Sequence, residues 1–475
     1  MTTTSPLRPR SEPGLARRLA LSLAAEPDRP GLGGSGLGGP GLGGSGLGFA
    51  EFDAWLAGRA AAHRFVVERI PFAALDGWSF RPGTGNLVHR TGRFFSVEGL
   101  RVTVGDGPVR RWEQPIIRQP EAGILGILTR EFDGVPHFLM QAKMEPGNRN
   151  LLQLSPTVQA TRSNYTGAHR GAPVRYLEYF TRPERGRILV DVLQSEHGSW
   201  FYRKANRNML VEAVGEVPPH DDFRWLSLGQ IGALLRRDNV VNMDSRTVLA
   251  CLPPDDRQEP ALRRDAEIRS WITVERSSHD VAAERVPLAG LRGWDRDDRV
   301  IGRPDGRYLR VVAVSVQAGN REVAAWSQPL IEPTGTGVTA FLFRRFGGVV
   351  HLLVSARVEA GFVDTIELGP TVQCVPGNWD HLPRPAFLDT VLAAGPGRIA
   401  YEAVHSEEGG RFLNAESRYL FVAADEDQAP LDPPPGFQWL TPDQLRALTA
   451  HGHYVNVQAR TLLAVLNTGA ARLDG

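Results

Sequence analysis

The sequence predicts an α+β protein made by tandem duplication, with each copy a mixed or antiparallel sheet carrying a few helices. Three observations predict this. First, motifs recur in order at a nearly constant distance: WEQP at Trp112 returns as WSQP at Trp326, and FRWL at Phe223 as FQWL at Phe437, each pair 214 positions apart. LQLSPTVQATRSNY at Leu152 likewise returns as IELGPTVQCVPGNW at Ile366. Second, apolar runs come in pairs joined by tight-turn residues, as in GILGILTREFDGVPHFLMQAKM and FLFRRFGGVVHLLVSARV. Third, each copy ends in short amphipathic stretches with helix-start signals. A period this long is no solenoid, so each repeat is a domain-sized unit.

The elements follow in chain order. Residues 31–48 read GLGGSGLGGPGLGGSGLG, a tract that cannot offset its ordering entropy by burial. Residues 1–48 are therefore expected to be a disordered tail, with modules over 49–257 and 258–475. FAEFDAWLAG opens the folded part as a short helix. The two hairpins use Asp133-Gly134 and Gly347-Gly348 as turns. RILVDVLQSE and WFYRKANRNMLVEAV form a further strand pair, in which Tyr202, Lys204 and Asn206 alternate and share one face. A helix follows Leu226, and its echo has Thr441 as N-cap and Pro442 at the first helical position. MDSRTVLACL is the last helix of the first copy, with Asn242 or Asp244 as its cap.

Composition narrows the function. A net charge of +1 argues against nucleic acid or a membrane surface as partner. Cys251 and Cys374 fit no metal spacing, and no nicotinamide fingerprint is present, so neither metal nor cofactor is expected. The glycine tract lacks the preceding strand of a phosphate-binding loop. No apolar run of about 18 residues is present. ARRLALSLAAE has an arginine pair before an apolar stretch too short for export, so a cytoplasmic protein is expected.

From about Phe49 to Leu466 the chain resembles the NDP-hexose 2,3-dehydratases of deoxysugar biosynthesis. LLQLSPTVQATRSNY, RYLEYF, QSEHGSWFYRKANRNM and DNVVNMDSRT carry the resemblance. It implies two Nudix-like modules, a dimer, no organic cofactor, and one active and one degenerate pocket. The implied substrate is a dTDP-linked 4-keto-6-deoxyhexose. Loss of water across C2 and C3 would give a 3,4-diketo-2,6-dideoxy sugar, which a 3-ketoreductase would then consume. The carboxylate-rich Nudix box follows neither LSPTVQ nor LGPTVQ, so magnesium-dependent pyrophosphate hydrolysis is not expected. A non-catalytic nucleotide-sugar-binding protein of the same fold is the alternative.

The implied elimination needs a base near C3, an acid near the C2 oxygen and donors for a C4 enolate. Glu196 and His197 end a predicted strand and are the first candidates, with Tyr165 and Lys143 beside them. Adjacent strand residues face opposite ways, so only one of Glu196 and His197 enters a given pocket unless a bulge re-aims the other. Arg162, Gln159, Asn164, Trp78, Trp112, Arg175, Tyr202 and Asn206 are candidates for holding the substrate. Lys143 and Glu145 also read as an exposed strand-end ion pair, and the tryptophans as core. In the second copy Gln373, Asn378 and Glu407 stand at matched positions. Arg162 faces Pro376, Tyr165 faces Trp379, and Lys204 faces Ala415 across the repeat. The first copy keeps the titratable groups, so it is expected to hold the working pocket.

Overall fold

The computed structural model describes residues 14–25, 48–105, 107–161, 173–253, 260–319 and 324–473. Each half centres on a seven-stranded mixed sheet. In the first, strands Gly186–Ser195, Ala205–Ala213, Ile124–Phe132, Val135–Met144 and Phe223–Leu226 lie side by side in that order. Ala205–Ala213 runs parallel to Ile124–Phe132 and the other pairings are antiparallel. The second half repeats this with Ile399–Ser406, Glu416–Ala423, Gly337–Phe346, Val349–Val358 and Ile366–Gly369 along its path, Phe437–Leu440 pairing with Val349–Val358. The hairpin turns take the left-handed conformation that Asp-Gly and Gly-Gly predict: φ is 50° at Asp133, 78° at Gly134, 58° at Gly347 and 84° at Gly348.

The caps match the sequence patterns. Ser227 and Thr441 each close a capping box on helices Leu228–Leu235 and Pro442–Thr449. On helix Met243–Leu249 the cap is Asn242, whose side chain accepts from the Ser245 N–H. Asp244 lies inside the first turn, free of that task.

Two smaller five-stranded sheets join the halves. Strand Phe65–Ile70 of the first half pairs with Leu309–Ala318 of the second. Val281–Val286 of the second pairs with Ser96–Val104 of the first. Each strand follows a helix anchored on its own half: Trp55 of helix Gly48–Ala62 donates to the Asp221 carbonyl, and Arg276 of helix Asp265–Ser278 to that of His453. The halves thus exchange their leading strands.

Between the sheets, helices Met243–Leu249 and Val457–Asn467 pack together within one core drawn from both halves. Arg246 and Arg460 are fully buried there and bond reciprocally: Arg246 to the Ser406 carbonyl and Thr461, Arg460 to the Ser195 carbonyl and Thr247. Buried guanidinium groups persist only with such dense pairing.

The expected tail contains an ordered exception. Helix Leu15–Ala24 buries Leu15 and Leu19 in the first half, Ser22 donates to the Pro136 carbonyl, and Arg18 pairs with Glu212. The arginine pair thus belongs to a docked helix, and the glycine tract up to residue 47 lies outside the described residues. Among the described residues no helix is long and apolar enough to cross a membrane.

Candidate active site

A cavity of about 110 Å³ opens at the end of the first large sheet. Its wall is built by strand ends: Gly123 and Leu125, Lys143 and Glu145, Gln159 to Thr161, Glu196, and Lys204 with Asn206. Asp244 adds a carboxyl from the first turn of its helix. Glu408, Gly410 and Arg411 close it from the second half. Among the described residues no cluster of His, Cys, Asp and Glu is arranged to hold a metal ion.

One polar chain organises the floor. Glu196 Oε1 accepts from Asn206 Nδ2 at 2.6 Å, and Asn206 Oδ1 accepts from Lys204 Nζ at 2.7 Å and from the Gly123 N–H at 2.9 Å. Glu196 Oε2 is buried without a hydrogen-bond partner among the described residues. Burial pushes the Lys204 ammonium down to about 8, against the pull of Glu196. A second chain fixes Glu145: its Oε1 accepts from Gln159 Nε2 at 2.7 Å and stands 4.0 Å from Lys143 Nζ. Gln159 Oε1 in turn accepts from Ser155 Oγ at 2.7 Å, and Asn242 donates to the same hydroxyl. Lys143 and Glu145 are buried at the cavity, not an exposed ion pair.

Carboxyl groups crowd this space. Burial, reinforced by Glu196, Glu408 and Glu145, raises Asp244 well above the usual carboxylate range. Burial also pushes Glu408 up to about 7, opposed by Arg411 and reinforced by Glu145 and Glu196. The site therefore holds two carboxyls raised toward the protonated form beside Glu196, whose second oxygen has no hydrogen-bond partner among the described residues.

His197 points the other way, as strand alternation demands. It is buried against the second half, with Nε2 2.7 Å from Glu407 Oε2 and its ring stacked on Trp200. Burial alone would lower its pKa, but the bond and charge of Glu407 reverse this and raise it. Glu407 also accepts from Ser417 and Tyr419, each at 2.9 Å. In that half Gln373 donates to Glu359 at 2.8 Å, repeating the framework of the first. Asn378 sits on the short turn Pro376–Trp379 and accepts from the Tyr308 N–H.

Of the residues singled out from sequence, the cavity gathers Lys143, Gln159, Glu196 and Asn206. Trp78 is core, its indole donating to the Ser327 carbonyl, and the Trp112 indole donates to Gln114. Arg175 is exposed. Tyr202 does not share the face of Lys204 and Asn206: the strand starts only at Ala205, after a bend where Arg203 has φ 49°, and the Tyr202 ring lies under Arg203 and Arg285. Arg162, Asn164 and Tyr165 lie outside the described residues. Sequence reasoning passed over Asp244, Glu408 and Arg411 as site residues. The repeat carried a signal for Asp244, which faces Gln458, but none for the other two, which arrive from the opposite half.

The family model described as NDP-hexose 2,3-dehydratase matches residues 49–252 and 265–466. A dTDP-4-dehydro-6-deoxy-alpha-D-glucopyranose 2,3-dehydratase from Amycolatopsis orientalis is 60% identical over 430 residues, covering 89% of this chain and 91% of that protein. Proteins of the same name from Streptomyces violaceoruber and Saccharopolyspora spinosa are each 52% identical, covering 89% and 88% of this chain and 99% and 91% of their own lengths. With a duplicated α+β fold matched in both copies and relatives this similar over most of its length, the chain belongs to the NDP-hexose 2,3-dehydratase family.

Proposed function

We propose that this protein is a hydro-lyase that removes water across C2 and C3 of dTDP-4-keto-6-deoxyglucose, giving the 3,4-diketo-2,6-dideoxy sugar. The observation that carries the reading is a polar cavity in which two carboxyls raised toward the protonated form and a Glu196 oxygen without a hydrogen-bond partner among the described residues line the same small space, in a chain with three such named relatives. The active pocket belongs to the first module, 49–257, and the degenerate one to the second, 258–475. Lys204 and Asn206 of the first become Ala415 and Ser417 in the second, and Asp244 becomes Gln458. Each module is read as Nudix-like, supported by a parallel strand pair set among antiparallel ones.

The lining suits a hydroxylated sugar ring: carboxyls from Glu145, Glu196, Asp244 and Glu408 and donors from Lys143, Lys204 and Arg411 surround one small space and can bond its hydroxyl and keto oxygens. Glu196 Oε2 takes the C3 proton, acidified by the C4 ketone. The electrons move into a C4 enolate that the nearby lysine charges stabilise. The enolate then expels the C2 oxygen as water, and the enol left at C3 tautomerises to the ketone. Atoms balance as substrate minus one water, with no external oxidant. A 3-ketoreductase is the proposed consumer of the reactive product, the cytoplasm the proposed location and a homodimer the proposed assembly, the last on the resemblance alone.

The test is purified protein with the keto sugar, a chelator, and a 3-ketoreductase with reduced nicotinamide as trap. A 2-deoxy product by mass and NMR is expected. Binding without turnover would favour a nucleotide-sugar-binding protein, and release of dTMP would mean hydrolysis instead.

A further inference from the structure

The turn after Glu407 does not serve its own half. Gly147 of the first half donates its N–H to the Gly409 carbonyl at 2.7 Å, and Gly361 of the second donates to the Gly198 carbonyl at 2.7 Å. The two turns, 197–201 and 408–412, are thus exchanged between pockets. One carries His197 to Glu407, the other carries Glu408 to the cavity holding Glu196. By the repeat, Glu408 stands toward Glu196 as His197 stands toward Glu407, at positions occupied by a bonded pair 2.7 Å apart. Where the second half has an imidazole against a carboxylate, the first has two carboxyls, both lining the same cavity.

Building on the proposed reaction, we propose that Glu408, supplied by the second half, is the acid that protonates the departing C2 oxygen, while Glu196 is the base. In this step the C2–O bond breaks, its electron pair takes the Glu408 proton, and water leaves; Glu196 holds the proton from C3. Proton exchange through the shared site resets the pair. Glu408 Oε2 has no hydrogen-bond partner among the described residues, so it is available to the sugar. The groups facing Glu408 are Glu145, Glu196, His197, Lys204 and Asp244 from the first half and Arg411 from its own turn. Arg411 is itself held, donating to Gln119 at 3.1 Å and stacking on Phe95. The second half would therefore be a catalytic partner and not only a scaffold.

The experiment compares full-length protein with Glu408→Gln and Glu408→Asp, measuring both elimination and exchange of the C3 proton with deuterated solvent. Glu408→Gln should lower elimination by about 100-fold or more, the usual contribution of a general acid. C3 exchange should stay within about fivefold, because the base is intact. Glu408→Asp should restore part of the elimination. In the unsubstituted protein kcat should decline as pH rises through about 7, where Glu408 loses its proton, and Glu408→Gln should lack that limb. Equal loss of exchange and elimination in Glu408→Gln, or an unchanged elimination rate, would overturn the assignment. If the unsubstituted protein shows neither exchange nor elimination, the reaction itself is wrong and this role falls with it.

Discussion

His197 shows how one residue step decides between two sites. It follows Glu196 in the chain, yet Glu196 lines the first cavity and His197 bonds Glu407 across the halves. Its contribution is expected to be to stability. Removing one member of a buried ion pair typically costs about 3–5 kcal/mol, because the other charge is left uncompensated. His197→Asn should therefore unfold at lower urea while kcat stays within a few-fold of the parent. The pH dependence has a definite sign. His197 is raised above its ordinary 6.5, so its contribution is complete below that value and is lost as pH climbs through the raised one. Glu407 is lowered from its ordinary 4.5, so its contribution is present above 4.5 and is lost only as pH falls through the lowered value. The stability gap between parent and variant should be widest between those ordinary values and narrow as pH rises through the raised His197 value. A gap of the same size at both ends would refute the ionic reading.

At the scale of elements, the strand-to-turn segments after the central hairpins carry the assembly. A methyl group at Gly147 would sit 1.7 Å from the Phe412 carbonyl oxygen, and one at Gly361 would sit 1.8 Å from that of Phe201. No side chain fits at either place without moving a backbone of the opposite half. Gly147→Ala displaces the turn that brings Glu408 and Arg411 to the first cavity; Gly361→Ala displaces the turn that carries His197. Both should lower the melting temperature. Only Gly147→Ala should also lower kcat by tenfold or more in the protein that remains folded, a factor worth about 1.4 kcal/mol. Comparable kcat values in the two variants would contradict the assignment of the active pocket to the first half. The hairpins and the Thr441 and Asn242 caps were legible beforehand, because Asp-Gly, Gly-Gly and helix-start residues are local signals. Helix Leu15–Ala24 was not: only the groove that receives Leu15 and Leu19 gives that short segment a reason to fold.

For the whole molecule, strand exchange and the shared arginine-rich core make the halves interdependent. Each half alone lacks one strand of its smaller sheet and leaves Arg246 or Arg460 without its acceptors in the other half. Fragments 1–257 and 258–475 should be insoluble or unfolded when made separately, and should regain dehydratase activity when made together. Calorimetry of the full chain should show a single transition. Two independent transitions, or an active isolated first half, would contradict this.

The duplication, the α+β class, the strand pairs, the family and Glu196 with Asn206 and Lys143 could all be read from the chain, since each rests on periodicity, local turn chemistry or a contiguous motif. Comparing the copies position by position also held Asp244, visible as a carboxyl facing Gln458. Tertiary structure alone decided that Glu408 and Arg411 complete the first cavity, which of Glu196 and His197 leaves it, and that the leading strands trade places. The physical reason is that a repeat in sequence fixes what each copy contains but not which copy its turns and strands pack against. That choice is made by backbone fit at Gly147 and Gly361 and by burial between the two halves, which no local pattern encodes.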